Sequence, residues 1–223
     1  MTHTIPSLPP AVVPRLTKYL ALIQQLSAEG VQWVSSQDLA DTLGLTSSTV
    51  RQDLSHVDYS GISKKGYETL GLQKVLAGIL GADREWKTVV IGAGNLGMAL
   101  VRHEEFQRHG FSMCGIFDSD EKKIGRKVGR LTVRGMRELP AFIGSETIQV
   151  GVVAVPAPAA QSCADLLIAS GIKGLLNLSL AHLIAPRAVS VMDSRIIASL
   201  IELTHAITSR QTSSPGGSSS ATL

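Results

Sequence analysis

Thr88-Val89-Val90-Ile91-Gly92-Ala93-Gly94-Asn95-Leu96-Gly97 is the stretch on which the reading of this chain turns. Its first four residues are all β-branched and predict a short strand. Three glycines follow at Gly-x-Gly-x-x-Gly spacing, and a helix is expected from about Asn95 to Arg108. Such a triplet alone is a weak pattern; between a strand and a helix it has a mechanism. Gly92 would permit the tight turn, Gly94 would let backbone approach a pyrophosphate, and Gly97 would let the helix pack close to the strand. The helix N-terminus offers free N–H groups and partial positive charge to phosphate. Gly92, Ala93, Gly94, Asn95, Leu96 and Gly97 are therefore the candidate cofactor residues.

Downstream, Phe111–Phe117 reads as a second strand ending at Asp118, twenty-one residues past Gly97. A carboxylate there would accept hydrogen bonds from ribose hydroxyls and repel a 2′-phosphate, which favours NAD(H) over NADP(H). Lys122, Lys123 and Arg126 lie just beyond and offer an alternative hold on a phosphate. Val150–Val155 is a buried-strand pattern that stops at Pro156. Val155 and Pro156 should line the crevice beyond the strand ends, where ligands of open parallel sheets bind. A helix near 159–170, a strand at Gly174–Asn177 and a last helix near 193–209 complete the pattern. Strands alternating with helices predict a parallel, Rossmann-like α/β domain. A site that is empty, or that takes CoA or another nucleotide, is the competing reading. No Ser/His/Asp, Cys/His or Lys/Tyr set accompanies the turn, so no catalytic residue is assigned and sensing is favoured over catalysis. None of the six histidines falls in a metal-spaced pair, and no metal is expected.

Upstream the period is helical. Pro14 suits the first turn of a helix carrying Leu16, Tyr19, Leu20, Ile23 and Leu26, which Gly30 stops. Residues 31–34 read as a short strand or link. Ser35 or Ser36 caps a helix to Leu43, Gly44 turns the chain, and Thr46 or Ser47 caps a third helix to about Val57. Residues 58–68 suit a hairpin, and residues 69–80 a further helix. Two short capped helices about a glycine turn predict a helix-turn-helix with a wing. Its second helix would present Ser47, Ser48, Thr49, Arg51 and Gln52 to double-stranded DNA. Lys64 and Lys65 in the hairpin would meet the phosphate backbone. Asp53 is expected to face away or to pair with Arg51. A small helical protein-interaction domain is the alternative.

Composition sets the bounds. Of 223 residues, 44% are hydrophobic and 17% charged, enough apolar material to exclude wholesale disorder. No apolar run is long enough for a membrane helix, and the N-terminus lacks a secretory pattern. Two cysteines, Cys114 and Cys163, without a CxxC, suggest no disulfide framework and a cytoplasmic setting. Residues 1–85 hold seven Lys/Arg and eight Asp/Glu; residues 86–223 hold fourteen and ten. Half of those fourteen lie between Lys122 and Arg137, which reads as a solvated surface. The expected organisation is a flexible arm (1–13), a winged helix-turn-helix (14–82), a Rossmann-like domain (83–190), a C-terminal helix (191–210) and a flexible tail (211–223).

Taken together, these stretches resemble the Rex family of redox-sensing transcriptional repressors over about residues 15–210. The likeness rests on Ser35 to Ser55, on Gly66-Tyr67, and on Ile91 to Leu100. It continues through Gly110-Phe111, Phe117 to Asp120, Ile124 to Arg126, Ala154 to Ala157, and Gly171 to Asn177. The resemblance implies a homodimer whose C-terminal helix reaches into its partner, with NAD(H) in each Rossmann domain. It implies an inverted-repeat operator that is held when NADH is low and released when NADH rises. Five places depart from the family pattern. His56-Val57-Asp58-Tyr59-Ser60-Gly61 stands where most members carry a Phe-Gly-containing stretch. Gln52 follows the recognition-helix Arg in place of Lys. His103 stands for a Tyr, and Arg195 for an Asp, that are thought to exchange partners with nucleotide state. Leu178-Ser179-Leu180 replaces Phe-Ala-Pro. Three other readings stay open: a relative with lost or altered nucleotide response, which the departures at His103 and Arg195 motivate, a small NAD-dependent oxidoreductase, and a CoA-binding or interaction module.

Overall fold

The computed structural model describes residues 8–212. The chain divides after Glu85 into two compact units.

The first unit contains α1 (Val13–Ala28), β1 (Trp33–Val34), α2 (Ser36–Leu43), α3 (Ser47–Leu54), β2 (Tyr67–Glu68) and α4 (Thr69–Leu80). Leu16, Tyr19, Leu20 and Ile23 bury one face of α1, which packs on α4 through Leu72 and Leu76. Leu39, Ala40, Val50 and Leu54 close the same core from α2 and α3. The Glu68 carboxylate accepts the Gly71 N–H at 2.9 Å and caps α4. The Thr69 N–H and hydroxyl reach the carbonyls of Gln32 and Val31, tying α4 to the strand that precedes α2.

Three sequence expectations change here. The end of the arm is docked: Val12 is buried and Leu8 packs against the core, because the Pro9–Val12 turn folds the chain back onto α1. The third helix stops at Leu54, although Val57 still enters the core from an irregular turn. The hairpin closes on itself only at the Ile62–Gly66 bridge, while Tyr67–Glu68 pairs antiparallel with Trp33–Val34.

The second unit is built on β3 (Trp86–Ile91), β4 (Phe111–Asp118), β5 (Lys127–Val128), β6 (Leu131–Gly135), β7 (Val150–Val153), β8 (Gly174–Asn177) and β9 (Ser190–Asp193). Its helices are α5 (Asn95–Arg102), α6 (Glu105–Arg108), α7 (Leu139–Glu146), α8 (Ala157–Ala169) and α9 (Ile196–Thr212). The sheet runs β5-β6-β4-β3-β7-β8-β9, parallel throughout except for β5, which is antiparallel to β6. Without β5 this is the doubly wound dinucleotide-binding order, with its topological switch between β3 and β7. Val89 and Ile91 of β3 enter one core with Phe117, Val153 and Leu167; Val90 enters the other with Ile116, Val133 and Val152. Helices thus cover both faces, as near-continuous apolar strands require.

The helix expected over 95–108 breaks at His103, whose backbone is extended (φ −84°, ψ 105°), and resumes as α6. Residues 190–193 form the last sheet strand, so the C-terminal helix starts at Ile196. It runs to Thr212; the expected tail beyond it lies outside the described residues. Ile196, Ile197, Leu200, Ile201, Leu203 and Ile207 of this helix are 49–68% exposed.

Candidate nucleotide site and nucleic-acid interface

The helix-turn-helix is fixed by its caps. The Ser35 hydroxyl accepts the Asp38 N–H at 3.1 Å, and the Asp38 carboxylate accepts the Ser35 N–H at 2.9 Å, a complete capping box. Hydrogen bonds from Ser35 hold the Asp38 carboxyl below its ordinary range. Gly44 takes the left-handed conformation (φ 65°) that ends α2, and the Thr46 hydroxyl accepts the Thr49 N–H to start α3.

With α3 set, its buried face is Val50, Asp53 and Leu54, and Ser48, Arg51, Gln52 and Ser55 are exposed at helical spacing. Ser47 and Thr49 are half-buried, and the Thr49 hydroxyl lies 2.8 Å from that of Thr46. The residues free to meet bases are therefore Ser48, Arg51 and Gln52. Ser55 joins them, one turn on, and a strict i, i+3, i+4, i+7 count from Ser48 would have added it. Arg51 reaches the Ser36 hydroxyl at 3.1 Å. Asp53 does not pair with Arg51; it turns inward to Arg15, with bonds of 2.6 Å to each carboxylate oxygen, and to the Tyr19 hydroxyl at 2.7 Å. Burial pushes the Asp53 carboxyl up, but the bonds from Arg15 and Tyr19 outweigh it and hold it below its ordinary value. In the wing, Gly66 (φ 90°) lies so close to Val34 that an added Cβ would stand 2.3 Å from its carbonyl oxygen. Lys65 lies over the Trp33 ring at 3.9 Å, and Lys64 is exposed at a positive φ of 62°.

The glycine turn behaves as its spacing predicts. Gly92 (φ 104°) donates its N–H to the Phe117 carbonyl at 2.7 Å, and an added Cβ would meet the Ala154 carbonyl at 2.3 Å. A Cβ on Gly97 would stand 1.9 Å from the Gly92 carbonyl oxygen, so helix and strand meet here at backbone contact. A Cβ on Gly94 would meet nothing within 4 Å: the space over the turn is open. No side chain caps α5 at Gly94, and Asn95 and Leu96 are exposed. An open cradle over an uncapped helix start is what a bound pyrophosphate needs.

Asp118 ends β4 beside this turn and is 8% exposed. Its carboxylate accepts the Ala93 N–H at 2.8 Å, the Asp120 N–H at 2.9 Å and the Lys123 ammonium at 2.9 Å. Burial would raise its carboxyl; the bonds from Asp120, Lys123 and Ala93 prevail and keep it low, hence ionised at neutral pH. The acid thus aligns the Ala93 amide, a duty that spacing does not reveal. Val155 is half-buried against the Gly92 turn, and Pro156 is the exposed N-cap of α8. The candidate residues of β3, β4 and β7 therefore converge at the carboxyl ends of three neighbouring strands.

His103 and Arg195 lie elsewhere. His103 closes the far end of α5, exposed, with its ring edge-on to Phe106 at 5.8 Å. Arg195 follows β9, its guanidinium 3.4 Å from both the Asp193 carboxylate and the Ala181 carbonyl. Its buried Nε has no partner among the described residues. Asn177, fully buried, donates to Asp193 at 2.7 Å and accepts from Ser179, so the 178–181 loop and the start of α9 share one polar knot. Among the described residues no cluster of His, Cys, Asp and Glu is arranged to hold a metal, and no helix is long and apolar enough to cross a membrane.

A winged helix-turn-helix joined to a dinucleotide-binding fold defines a ligand-responsive DNA-binding protein. Comparison with known proteins narrows the class. Residues 83–181 match the family model described as "CoA binding domain", and residues 7–55 the one described as "Putative DNA-binding protein N-terminus". The chain is 40% identical over 204 residues to a redox-sensing transcriptional repressor Rex of Thermotoga maritima, covering 91% of this chain and 97% of that one. It is 41% identical over 170 residues to the Rex of Thermosipho africanus, covering 76% and 82%. Among solved structures it is similar to RSP, a Rex-family repressor, at 31% identity. For RSP with β-NADH the TM-score is 0.84, covering 92% of this chain and 96% of that one. For RSP with β-NAD+ and operator DNA it is 0.86, covering 92% and 95%. The chain belongs to the Rex family of redox-sensing transcriptional repressors.

Proposed function

We propose that this chain is a cytoplasmic, homodimeric repressor that reads the NADH/NAD+ ratio. Of Ser47, Ser48, Thr49, Arg51 and Gln52, the exposed Ser48, Arg51 and Gln52 meet the bases of an inverted-repeat operator, with the half-buried Ser47 and Thr49 behind them and Lys64 and Lys65 against its phosphates. NAD(H) lies along Gly92–Gly97, with its ribose on Asp118 and its far end near Val155 and Pro156. The observation that carries the reading is the pairing of an open Gly94 cradle with an ionised Asp118 in a chain that also has a capped helix-turn-helix. The solved relative RSP, with β-NADH in one structure and β-NAD+ and operator DNA in another, supports both ligands.

The apolar face of α9 supports the dimer. Ile197, Leu200 and Ile201 lie on one helical face and are more than half exposed, and a second copy would cover them. A two-fold protein calls for a two-fold operator. NADH releases DNA only if it binds the DNA-incompetent arrangement of the dimer more tightly than the competent one. The polar knot of Asn177, Asp193 and Arg195 joins the cofactor end of the sheet to α9, and is the element through which bound nucleotide would act on the dimer.

A second reading has its own observation: Arg195 engages Asp193 of its own chain, and His103 ends a helix at the other end of the sheet. In that reading the family's exchange of partners is gone and the operator is held at every NADH level. Anisotropy of a labelled inverted-repeat operator, titrated with NADH and separately with NAD+ at fixed salt, tests both. Release by NADH and not by NAD+ supports the sensor. DNA held throughout overturns it in favour of the second reading.

A further inference from the structure

The chain carries its entire surplus of positive charge in one place. Residues 120–137 hold seven Lys/Arg and two Asp/Glu; the rest of the chain holds fourteen and sixteen. The first unit, with seven and eight, carries no net positive charge. The surplus lies on and around the ribbon of β5 and β6, the outermost strands at one edge of the sheet: Lys127 and Arg134 are in its strands, Arg126 and Arg130 flank β5, Lys122 and Lys123 lie in the turn before it, and Arg137 follows β6.

The ribbon is rigid and faces outward. Lys127 pairs with Thr132 and Val128 with Leu131 across it. The Gly125 N–H reaches the Val133 carbonyl at 2.9 Å, and the Val133 N–H reaches that of Arg126 at 2.9 Å. Val128 and Val133 point into the core, so alternation turns Lys127, Thr132 and Arg134 to solvent. Two of the seven cations have partners: Lys123 on Asp118, and Arg134 on Glu138 at 3.5 Å and over the Phe142 ring. Lys122, Arg126, Lys127, Arg130 and Arg137 are exposed and make no ion pair among the described residues. Charges on an edge strand guard it against pairing with another chain; here five unneutralised cations fall within sixteen residues, most of them outside the strands themselves.

We infer that the β5–β6 ribbon is a second, sequence-independent contact for the phosphate backbone of duplex DNA. The occupant follows from charge. A regular polyanion releases condensed counterions when cations meet it, and a cluster of exposed, unpaired Lys and Arg is suited to that. The inference rests on the reading of the chain as a DNA-binding protein, and adds to the winged helix a region that does not read bases.

The test uses the full chain and a labelled random-sequence duplex of about 40 base pairs, bound at several salt concentrations. The variant is Arg126→Gln/Lys127→Gln/Arg130→Gln. Its matched control, Lys173→Gln/Arg187→Gln/Arg210→Gln, makes the same change of charge elsewhere on the second unit. Loss of three phosphate contacts lowers the slope of log K against log salt by about 2–3 and weakens binding roughly tenfold or more at low salt. The control leaves the slope near that of the parent. An unchanged slope in the ribbon variant, or an equal fall in the control, overturns the inference. Arg51→Ala on an operator duplex separates the two readings: if it weakens operator binding while the ribbon variant binds as the parent does, only the ribbon assignment fails. If the parent binds no duplex at low salt, both fail.

Discussion

Arg15 on α1 and Asp53 on the recognition helix α3 form a two-pronged ion pair at 2.6 Å on each prong, 38 residues apart in sequence. The Tyr19 hydroxyl completes the arrangement from the next turn of α1. Asp53 is 2% exposed, so a buried charge on the inner face of α3 is satisfied wholly from α1. The outer face, with Ser48, Arg51, Gln52 and Ser55, is held by that grip in one orientation. A fork-to-fork guanidinium–carboxylate pair fixes angle as well as distance, which apolar packing at Val50 and Leu54 alone does less sharply.

Asp53→Asn keeps the shape and removes the charge, leaving donors of Arg15 and Tyr19 facing a group that cannot accept them all. The expected loss of stability is about 2 kcal/mol. The sign with pH follows from the lowered Asp53 carboxyl. Its contribution is complete above the ordinary carboxylate value and is lost as pH falls through the depressed folded value. Urea unfolding of both proteins from neutral pH down to about pH 3 checks this. The gap should be widest at neutral pH and close on acidification; a gap that is constant with pH refutes the charge argument.

Arg51 is exposed and supports nothing in the core, so Arg51→Ala should leave the unfolding midpoint where it is. On an operator it should cost about 1–3 kcal/mol, or roughly 5–150-fold in affinity, the range for a bidentate side chain on a base edge. Anisotropy on operator and random duplexes at one salt concentration separates base reading from phosphate contact. Equal losses on both duplexes would mean that Arg51 binds backbone only.

Much of this was legible in the residues, and the places where it was not share a cause. The glycine turn, Asp118 and the caps at Ser35 and Thr46 act within a few residues or at a fixed spacing, so local chemistry reveals them. The grip of Arg15 on Asp53 depends on how α1 crosses α3, and nothing within a turn of Asp53 signals it. The ribbon strands were hidden because each is short: β5 has one inward residue, Val128, and β6 alternates only over Leu131 and Val133 inward against Thr132 and Arg134 outward. The strand at Ser190–Asp193 is an edge with Met192 68% exposed, and its sequence carries no buried alternation. The break at His103 interrupts a helical pattern that Glu105–Arg108 then resumes, and so reads as one helix.

Asp118→Ala removes the group that aligns the Ala93 amide and, in the proposed function, accepts from the ribose. Charge-assisted hydrogen bonds of this kind are worth about 1.5–3 kcal/mol each. NADH affinity measured by calorimetry should fall at least about tenfold, while operator binding without nucleotide is unchanged. Equal NADH affinity in the variant removes Asp118 from the site.

Leu200→Asp places a charge in the middle of the exposed apolar face of α9. If that face is covered by a second copy, a buried unpaired carboxylate opposes association and the dimer dissociates to monomer. Light scattering at micromolar protein should then report half the parent mass, and operator affinity should fall with it. A parent that is already monomeric, or a variant of unchanged mass, would show that the dimer does not depend on this face.

Gly94 and Gly97 separate binding from folding at one turn. A methyl at Gly97 would collide with the Gly92 carbonyl at 1.9 Å, backbone against backbone, with no side chain able to yield. Gly97→Ala should therefore push α5 off β3 and lower the stability of the second unit. A methyl at Gly94 meets nothing within 4 Å, and its φ of −84° suits alanine, so Gly94→Ala should fold as the parent does. The space it fills is the one a pyrophosphate would occupy over the α5 N-terminus. Unfolding midpoints and NADH titrations of the two variants should then diverge: Gly97→Ala unstable, Gly94→Ala stable but blind to NADH. If Gly94→Ala binds NADH as tightly as the parent, the dinucleotide does not cross this turn, and the cofactor assignment fails at its central residue.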